Sequence, residues 1–455
     1  MNHPICALST PPAAAGLGVI RLSGDGAIAI ADQVFRAVRP TGPLTGRPGY
    51  AASFGYVRDG EGDIDECVAL VFRAPHSYTG EDVVEFSCHG GPYLLQRTLR
   101  ALLDAGAAPA EAGEFTRRAF VNGKLDLTRA EAGLNLIGAQ GRLAAKTALA
   151  AREGALYRRL QQVRQTLAAA NAQFAAYVDY PDDDIPELQT PALDAALSGA
   201  LQTLETLLAT YESGRVAREG IDTAIVGSPN VGKSTLMNRL AGCERSIVTA
   251  AAGTTRDVVE ETVRLGDVLL RLADTAGIRA SGDEAEAIGI QRARDRMRQA
   301  ALLLAVFDGS RPLSQDDRLL AEQAAGETAV AVINKADLPQ RIDAEFLRMR
   351  FGDVVCLSAR SGDGLEALTA AVNRITGVAA LDASQPLLIS ERQRACAVRA
   401  RDETAAALEA LRAGMTLDAV SVGVDGALAA ILELTGERAC DAVVDEVFSR
   451  FCVGK

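Results

Sequence analysis

The sequence predicts a multidomain protein: an α+β N-terminal domain, an α-helical central domain, and an α/β domain with a phosphate-binding loop inserted into the helical one. Three observations predict it. Short apolar runs punctuated by Gly and Pro fill the first 120 residues. A composition rich in Ala, Leu, Arg and Gln begins at Leu125, and Ala-rich helical patterns return late in the chain. Between these helical stretches, apolar runs alternate with helical ones behind a glycine loop. The expected boundaries are 1–120, 121–216, 217–377 and 378–455, with 121–216 and 378–455 as two parts of one helical domain. Insertion is tolerated where the ends of the inserted domain lie close together; two separate bundles are the alternative.

In the first domain, Gly18 to Leu22, Cys67 to Phe72 and Val83 to Cys88 read as strands, and Gly91 to Ala105 as a helix. Its conspicuous polar residues are Arg21, His76, Tyr78, Glu81, His89, Glu114, Arg117 and Lys124. Asp63, Asp65 and Glu66 lack the rest of an EF-hand loop and read as solvated. In the helical domain, Leu156, Leu160, Val163, Leu167, Ala170, Phe174 and Tyr177 step by four and three, which puts them on one helical face. Tyr180 to Pro186 breaks that helix. Further helices are expected over Pro191–Arg218, Glu391–Leu411 and Asp418–Leu434. In the inserted domain Ile221–Val226, Val268–Ala273, Leu302–Phe307, Ala329–Ile333 and Val354–Leu357 read as buried strands of a parallel sheet covered on both faces.

The loops after those strands carry the chemistry, as expected of ligands bound outside the carboxyl ends of an open α/β sheet. Gly227-Ser228-Pro229-Asn230-Val231-Gly232-Lys233-Ser234 lies between a strand and a helix that starts near Thr235. Its glycines let backbone N–H groups wrap phosphates, Lys233 reaches the β/γ oxygens, and the Ser234 hydroxyl can ligate Mg²⁺. Asp274-Thr275-Ala276-Gly277 supplies a carboxylate that holds Mg²⁺ through water and a glycine N–H near the γ-phosphate. Asn334-Lys335-Ala336-Asp337 selects GTP over ATP, because a carboxylate accepts both N1–H and N2–H₂ of guanine. The backbone of Ser358-Ala359-Arg360 can contact guanine O6, and Thr255 can give Mg²⁺ a switch hydroxyl. Together these elements specify a Ras-like P-loop GTPase domain. The water-orienting Gln of the Ras type is missing, since Ile278-Arg279 follow Gly277. Glu284 and Glu286 lie in the next loop; Arg256 and Arg279 are open either to charge stabilisation or to surface pairing.

The chain of 455 residues has a net charge of -12, which argues against a generally basic nucleic-acid-binding surface and leaves room for a local basic patch. Its eight Cys show no CxxC pair, so neither a disulfide framework nor a zinc site is expected. No signal peptide and no apolar run of about 18 residues is apparent. The expectation is a cytoplasmic protein without membrane contact.

Beyond the nucleotide motifs, the chain resembles the MnmE (TrmE) family of tRNA-modification GTPases, essentially end to end. The resemblance rests on Ser9-Thr10-Pro11-Pro12, Val19 to Gly24, Tyr78 to Asp82, His89-Gly90-Gly91, Gly113 to Phe120, Asn122 to Leu127, and the terminal Phe451-Cys452-Val453-Gly454-Lys455. It departs from the usual pattern at Ser228, Val231 and Thr235 of the phosphate loop and at Ala13 to Leu17. The resemblance implies an N-terminal domain that dimerises and binds a tetrahydrofolate derivative (5,10-methylene- or 5-formyl-tetrahydrofolate) through Arg21, Glu81 and Lys124, with Lys455 nearby. It implies GTP and Mg²⁺ binding, and hydrolysis driven by K⁺-dependent pairing of the GTPase domains. K⁺ would be held by Asn230 and by Thr249, Ala251 and Thr254, within the loop Thr249-Ala250-Ala251-Ala252-Gly253-Thr254. Glu286 would orient water. Cys452 matches a cysteine proposed to act in the modification; a packed small hydrophobe is the other reading. The implied partners are tRNA and a MnmG-type FAD protein in a heterotetramer, and the implied product is 5-carboxymethylaminomethyl or aminomethyl uridine at the wobble position. A regulatory switch GTPase of ribosome or RNA maturation, without folate chemistry, shares every nucleotide motif and is the alternative.

Overall fold

The computed structural model describes residues 3–38, 42–179, 190–243, 261–272 and 300–455, in two compact units. One unit takes in residues 1–134 with 428–455, the other 135–427. The layout is multidomain.

The first unit is built on a seven-stranded sheet in the order β3-β4-β5-β6-β2-β1-β7. The strands are β1 (Ile5–Leu8), β2 (Ala15–Ser23), β3 (Phe35–Ala37), β4 (Ala51–Asp59), β5 (Gly62–Phe72), β6 (Val83–Gly90) and β7 (Ala108–Pro109). All pairings are antiparallel except β1 with β7. Ile20, Leu22, Val57, Val71, Val84 and Phe86 point from the sheet into a core closed by the helices Ala27–Val34 and Pro92–Asp104. Three of these strands and the second helix match the expected ranges within a few residues. A smaller core joins Ala119, Leu125 and Leu127 to Val444, Val447, Phe448 and Phe451. It fixes the C-terminal helix Asp441–Ser449 against the helix Glu114–Val121. The chain end therefore comes back to the first strands, with Ala112 bridged to Val453.

The second unit contains a six-stranded sheet in the order β13-β12-β11-β8-β10-β9. Its strands are β8 (Ile221–Val226), β9 (Glu261–Leu265), β10 (Val268–Leu272), β11 (Leu302–Asp308), β12 (Ala329–Asn334) and β13 (Asp353–Cys356). In β11, Leu302, Leu304 and Val306 enter one core while Leu303, Ala305 and Phe307 enter the other. Burial on both faces is why this strand is apolar at six successive positions. The expectation of a parallel sheet is corrected at one edge: β9 runs antiparallel to β10. Val263 and Leu265 alternate with the polar Thr262 and Arg264 there, because one face of this strand meets the core.

Leu156, Leu160, Val163, Leu167, Ala170 and Phe174 are all buried along the helix Ala155–Asp179, as their spacing predicts. The side chain of Tyr177 and the break at 180–186 lie outside the described residues. The single helix expected over 191–218 is two, Thr190–Ala209 and Tyr211–Glu219. The ladder tightens between them, where Thr210 N and Oγ1 both donate to Leu207 O, at 3.1 and 2.7 Å. The helices Glu391–Arg412 and Leu417–Thr435 follow the expected ranges. Among the described residues, no helix is long and apolar enough to cross a membrane.

Candidate functional site

In the second unit, β8, β12 and β13 are parallel and deliver three loops to their shared carboxyl end. After β8 the chain passes Gly227 and Asn230, whose φ of 62° is unusual for a residue with a side chain. Gly232 follows at φ 98°, and a Cβ there would collide with Asn334 Nδ2. Only glycine fits that close approach. The helix Lys233–Cys243 then begins, so its unpaired N–H groups and positive dipole end face the loop. Lys233 Nζ donates to Gly227 O at 2.7 Å and to Ser228 O at 2.8 Å, inside the loop's own ring. Partial burial pushes the Lys233 ammonium below its ordinary pKa. Asn230, Ser234 and Thr235 are exposed at the rim, and Val231 is buried beneath them.

Asn334 ties the loops together. Its Nδ2 donates to Val231 O at 2.8 Å, and its Oδ1 accepts from Ala359 N at 2.9 Å. Lys335 takes φ 64° and donates to Asp308 Oδ2 at 2.6 Å. Ala336 N donates to Leu357 O at 3.1 Å, which aligns this turn with the Ser358-Ala359-Arg360 loop. Asp337 stays exposed; a hydrogen bond with the Ser358 side chain holds its carboxyl below the usual range, so it is ionised at neutral pH. An ionised, exposed carboxylate beside a loop of backbone amides suits the paired donors of guanine.

Three side chains that sequence reading missed brace this pocket. Asp308, at the end of β11, holds Lys335 and accepts from Ser310 N and Oγ at 3.0 and 2.6 Å. Asp317, buried in the capping box that starts the helix Gln315–Ala324, accepts from Ser228 Oγ at 2.6 Å. Arg239 donates to Ala359 O at 3.2 Å and to Arg360 O. The Ser314–Asp317 capping spacing was the one local signal available. Thr249 to Thr255, Arg256, Asp274 to Gly277, Ile278, Arg279, Glu284 and Glu286 lie outside the described residues. Among the described residues no cluster of His, Cys, Asp or Glu side chains is set to hold a metal. Ser234 stands at the second position of its helix, where a phosphate-bound Mg²⁺ needs one hydroxyl.

The first unit gathers a second set. Arg21 Nε donates to Glu85 Oε1 at 2.8 Å, and its guanidinium lies 5.1 Å from the Tyr78 ring centroid and 5.6 Å from that of Phe115. Arg21 also reaches Gly454 O at 3.4 Å, as does Ser9 Oγ at 3.0 Å. That brings Lys455 beside Arg21 through the backbone. A side chain at Gly454 would strike Leu8 O, so the terminus is seated close against β1. Glu81 accepts from Ser23 Oγ at 2.8 Å and pairs with Arg118 at 3.3 Å, both charges being largely enclosed. Arg118 pairs with Glu114 too, at 2.8 Å. Lys124 packs its stem on Gly80 and donates to Pro75 O at 2.9 Å. Arg21 and Lys124 thus flank the segment 75–81, which carries Glu81 at its end; Glu85 and Arg118, partners of Arg21 and Glu81, were not singled out. Cys452 is exposed, which removes the packed-hydrophobe reading. Asp65 corrects the reading of a solvated acidic group. Its carboxylate is turned in and accepts from His89 N at 2.8 Å and meets Nδ1 at 2.7 Å, while Asp63 pairs with Arg36.

Two family descriptions match the chain: "GTP-binding protein TrmE N-terminus" over residues 4–124 and "MnmE helical domain" over 127–452. Among curated proteins, the tRNA modification GTPase MnmE of Symbiobacterium thermophilum is 41% identical over 458 residues, covering 100% of both chains. That of Roseiflexus castenholzii is 40% identical, covering 100% of this chain and 99% of its own. That of Geobacter metallireducens is 39% identical, covering 100% of both.

Proposed function

The chain belongs to the MnmE family of tRNA modification GTPases, and from that premise we propose that it is a K⁺-activated GTP hydrolase acting in tRNA modification. With a MnmG-type FAD protein it forms 5-carboxymethylaminomethyl or aminomethyl uridine at the wobble position, and a tetrahydrofolate derivative supplies the carbon.

The observation that carries the GTPase reading is the pair of hydrogen bonds that Asn334 makes to Val231 and Ala359, with ionised Asp337 alongside. One side chain holds the phosphate loop and the base loop at a common spacing. Lys233 and Ser234 would meet the phosphates and Mg²⁺, with Thr255 and Asp274 completing the metal's shell. Bound Mg²⁺ would neutralise charge developing on the β- and γ-oxygens. K⁺ would sit beside Asn230 under the loop from Thr249 to Thr254, and Glu286 would orient water. Arg21 and Lys124 against the segment 75–81 that carries Glu81, with Gly454 against Arg21, support the folate reading. We assign 1–120 to folate binding and dimerisation, 217–377 to the GTPase domain, and 121–216 with 378–455 to the helical domain. The protein acts in the cytoplasm.

Mass spectrometry of wobble uridines in cells lacking this protein tests the reading. Loss of the C5 substituent, restored by the gene, is the expected result. Unchanged uridines would leave a switch GTPase of RNA maturation as the better reading.

A further inference from the structure

The second unit carries a basic strip that the nucleotide chemistry does not use. Residues 142–165 hold six cations, Arg142, Lys146, Arg152, Arg158, Arg159 and Arg164, against one carboxylate, Glu153. Six minus one leaves +5 in a chain whose net charge is -12. The strip spans the consecutive helices Arg142–Arg152 and Ala155–Asp179. Ala144, Thr147 and Ala148 turn inward from the first, and Leu156, Leu160 and Val163 from the second. That leaves Arg142, Lys146, Arg158 and Arg159 exposed.

A merely solvated helix face would interleave its cations with acids. Exposed arginines on neighbouring helices are answered in that way: Arg394 by Glu391 at 2.9 Å and Arg412 by Asp194 at 2.6 Å. Among the described residues, none of the four cations has a carboxylate at ion-pair distance. Arg158 donates to Glu153 O, and Arg159 to Gln162 Oε1 and Thr203 Oγ1, all neutral acceptors. Arg158 and Arg159 also line an open cleft of about 770 Å³, walled opposite by helix Thr190–Ala209 and residues 377–387. The one acid in that lining, Asp382, accepts from Ser384 N and Oγ and from Gln385 Nε2 in its own turn.

We propose that this strip binds the phosphodiester backbone of RNA and, resting on the function proposed above, that of the tRNA substrate. Guanidinium forks match phosphate oxygens bidentately, and cations without a carboxylate partner have no internal ion pair to break. Each phosphate neutralised also releases condensed counterions.

The test uses the full-length protein with Arg142→Gln/Lys146→Gln, Arg158→Gln/Arg159→Gln and the four changes combined. Fluorescence anisotropy of labelled tRNA is read against salt. Each pair should weaken binding roughly ten-fold near 0.1 M salt, and the slope of log K on log salt should flatten by about 0.7–0.9 for each phosphate no longer neutralised. Melting temperature and GTP hydrolysis should stay at wild-type values. Equal affinities and slopes in all variants overturn the proposal, as does tighter strip-dependent binding to phosphatidylserine vesicles than to tRNA. Wobble-uridine analysis in cells separates the two readings. Modification that depends on the protein, while the purified protein binds no tRNA, sinks the strip alone. Strip-dependent tRNA binding without any dependence of modification sinks the assigned function alone.

Discussion

Asn334 Nδ2 donates to Val231 O at 2.8 Å, joining two loops that are 103 residues apart in sequence. Both groups are buried, and Oδ1 of the same Asn334 side chain accepts from Ala359 N. Asn334→Ala orphans a carbonyl and an N–H away from water, at a cost of about 1–3 kcal/mol for each. The expected outcome is a lower melting temperature and GTP affinity reduced by at least roughly ten-fold. Asn334→Asp separates the two roles: it keeps the acceptor for Ala359 and loses the donor to Val231. Calorimetric titration with GTP beside thermal unfolding checks this, and wild-type affinity in Asn334→Ala would remove the bridge from the site.

Asp337, proposed to read the base, carries a carboxylate that its bond with Ser358 keeps ionised. Asp337→Asn replaces one acceptor oxygen by a donor, which faces a donor of guanine but an acceptor of xanthine. GTP affinity should fall roughly 10- to 100-fold, with XTP overtaking GTP. The depressed pKa also sets a direction with pH. The carboxylate is charged above its lowered value, so base selection should hold through neutral pH and fail only in acid. Competition of labelled GTP with ATP and XTP decides it.

What sequence reading reaches follows how local each constraint is. β11 is legible because burial on both faces forces six apolar residues in a row. β4 escapes notice because Gly55, which lets the strand approach Phe35 and Arg36, interrupts its pattern. The phosphate and base motifs are legible because a nucleotide demands fixed residue types at fixed short spacing. Asp308, Asp317 and Arg239 are not, since their partners lie 27, 89 and at least 120 residues away. Only the folded sheet brings those pairs together, and apart from the Ser314–Asp317 capping spacing nothing in the local chain marks them. The break at Thr210 is a one-residue change of hydrogen-bond partner, below what periodicity resolves.

Arg21 is pre-set by Glu85 and by the faces of Tyr78 and Phe115, which fix a fork ready for a carboxylate. Arg21→Ala should abolish 5-formyl-tetrahydrofolate binding by calorimetry while GTP hydrolysis stays nearly intact. Arg21→Lys keeps the charge without the planar fork and should bind at intermediate strength. Equal folate affinity in wild type and Arg21→Ala would sink the assignment.

His89 pairs with Asp65 at 2.7 Å, and that hydrogen bond raises the imidazole above its ordinary 6.5. A raised folded pKa stabilises fully below the unfolded value, and the gain is lost as pH rises through the folded one. The first unit should therefore lose a small increment of stability as pH climbs above 6.5. The effect is small because His89 is 57% exposed and water screens the pair. His89→Asn should flatten that part of the profile, which melting curves of both proteins between pH 5 and 9 would reveal. A matching slope in the variant would assign it to another group.

The hydrolytic step is where this chain departs furthest from Ras-type GTPases. Ile278 stands where a water-positioning Gln would be expected, and an apolar side chain cannot orient water. Something else must supply both the water contact and the charge that stabilises the transition state. On the proposed mechanism Glu286 and a monovalent cation held through Asn230 would meet those two needs. On that mechanism the cation would act only when two GTPase domains pair. K⁺ should therefore accelerate hydrolysis, and Na⁺ should not, being too small for ligands set at K⁺ distances. Glu286→Ala should lower turnover by roughly 10²–10⁴, the usual worth of a positioned acid–base group. GTP affinity and K⁺-induced dimerisation should persist, since Glu286 would touch water and not nucleotide. Steady-state assays in KCl and NaCl, with light scattering in GDP and aluminium fluoride, measure both. Equal rates in the two salts exclude the K⁺ mechanism, and wild-type turnover in Glu286→Ala excludes that residue.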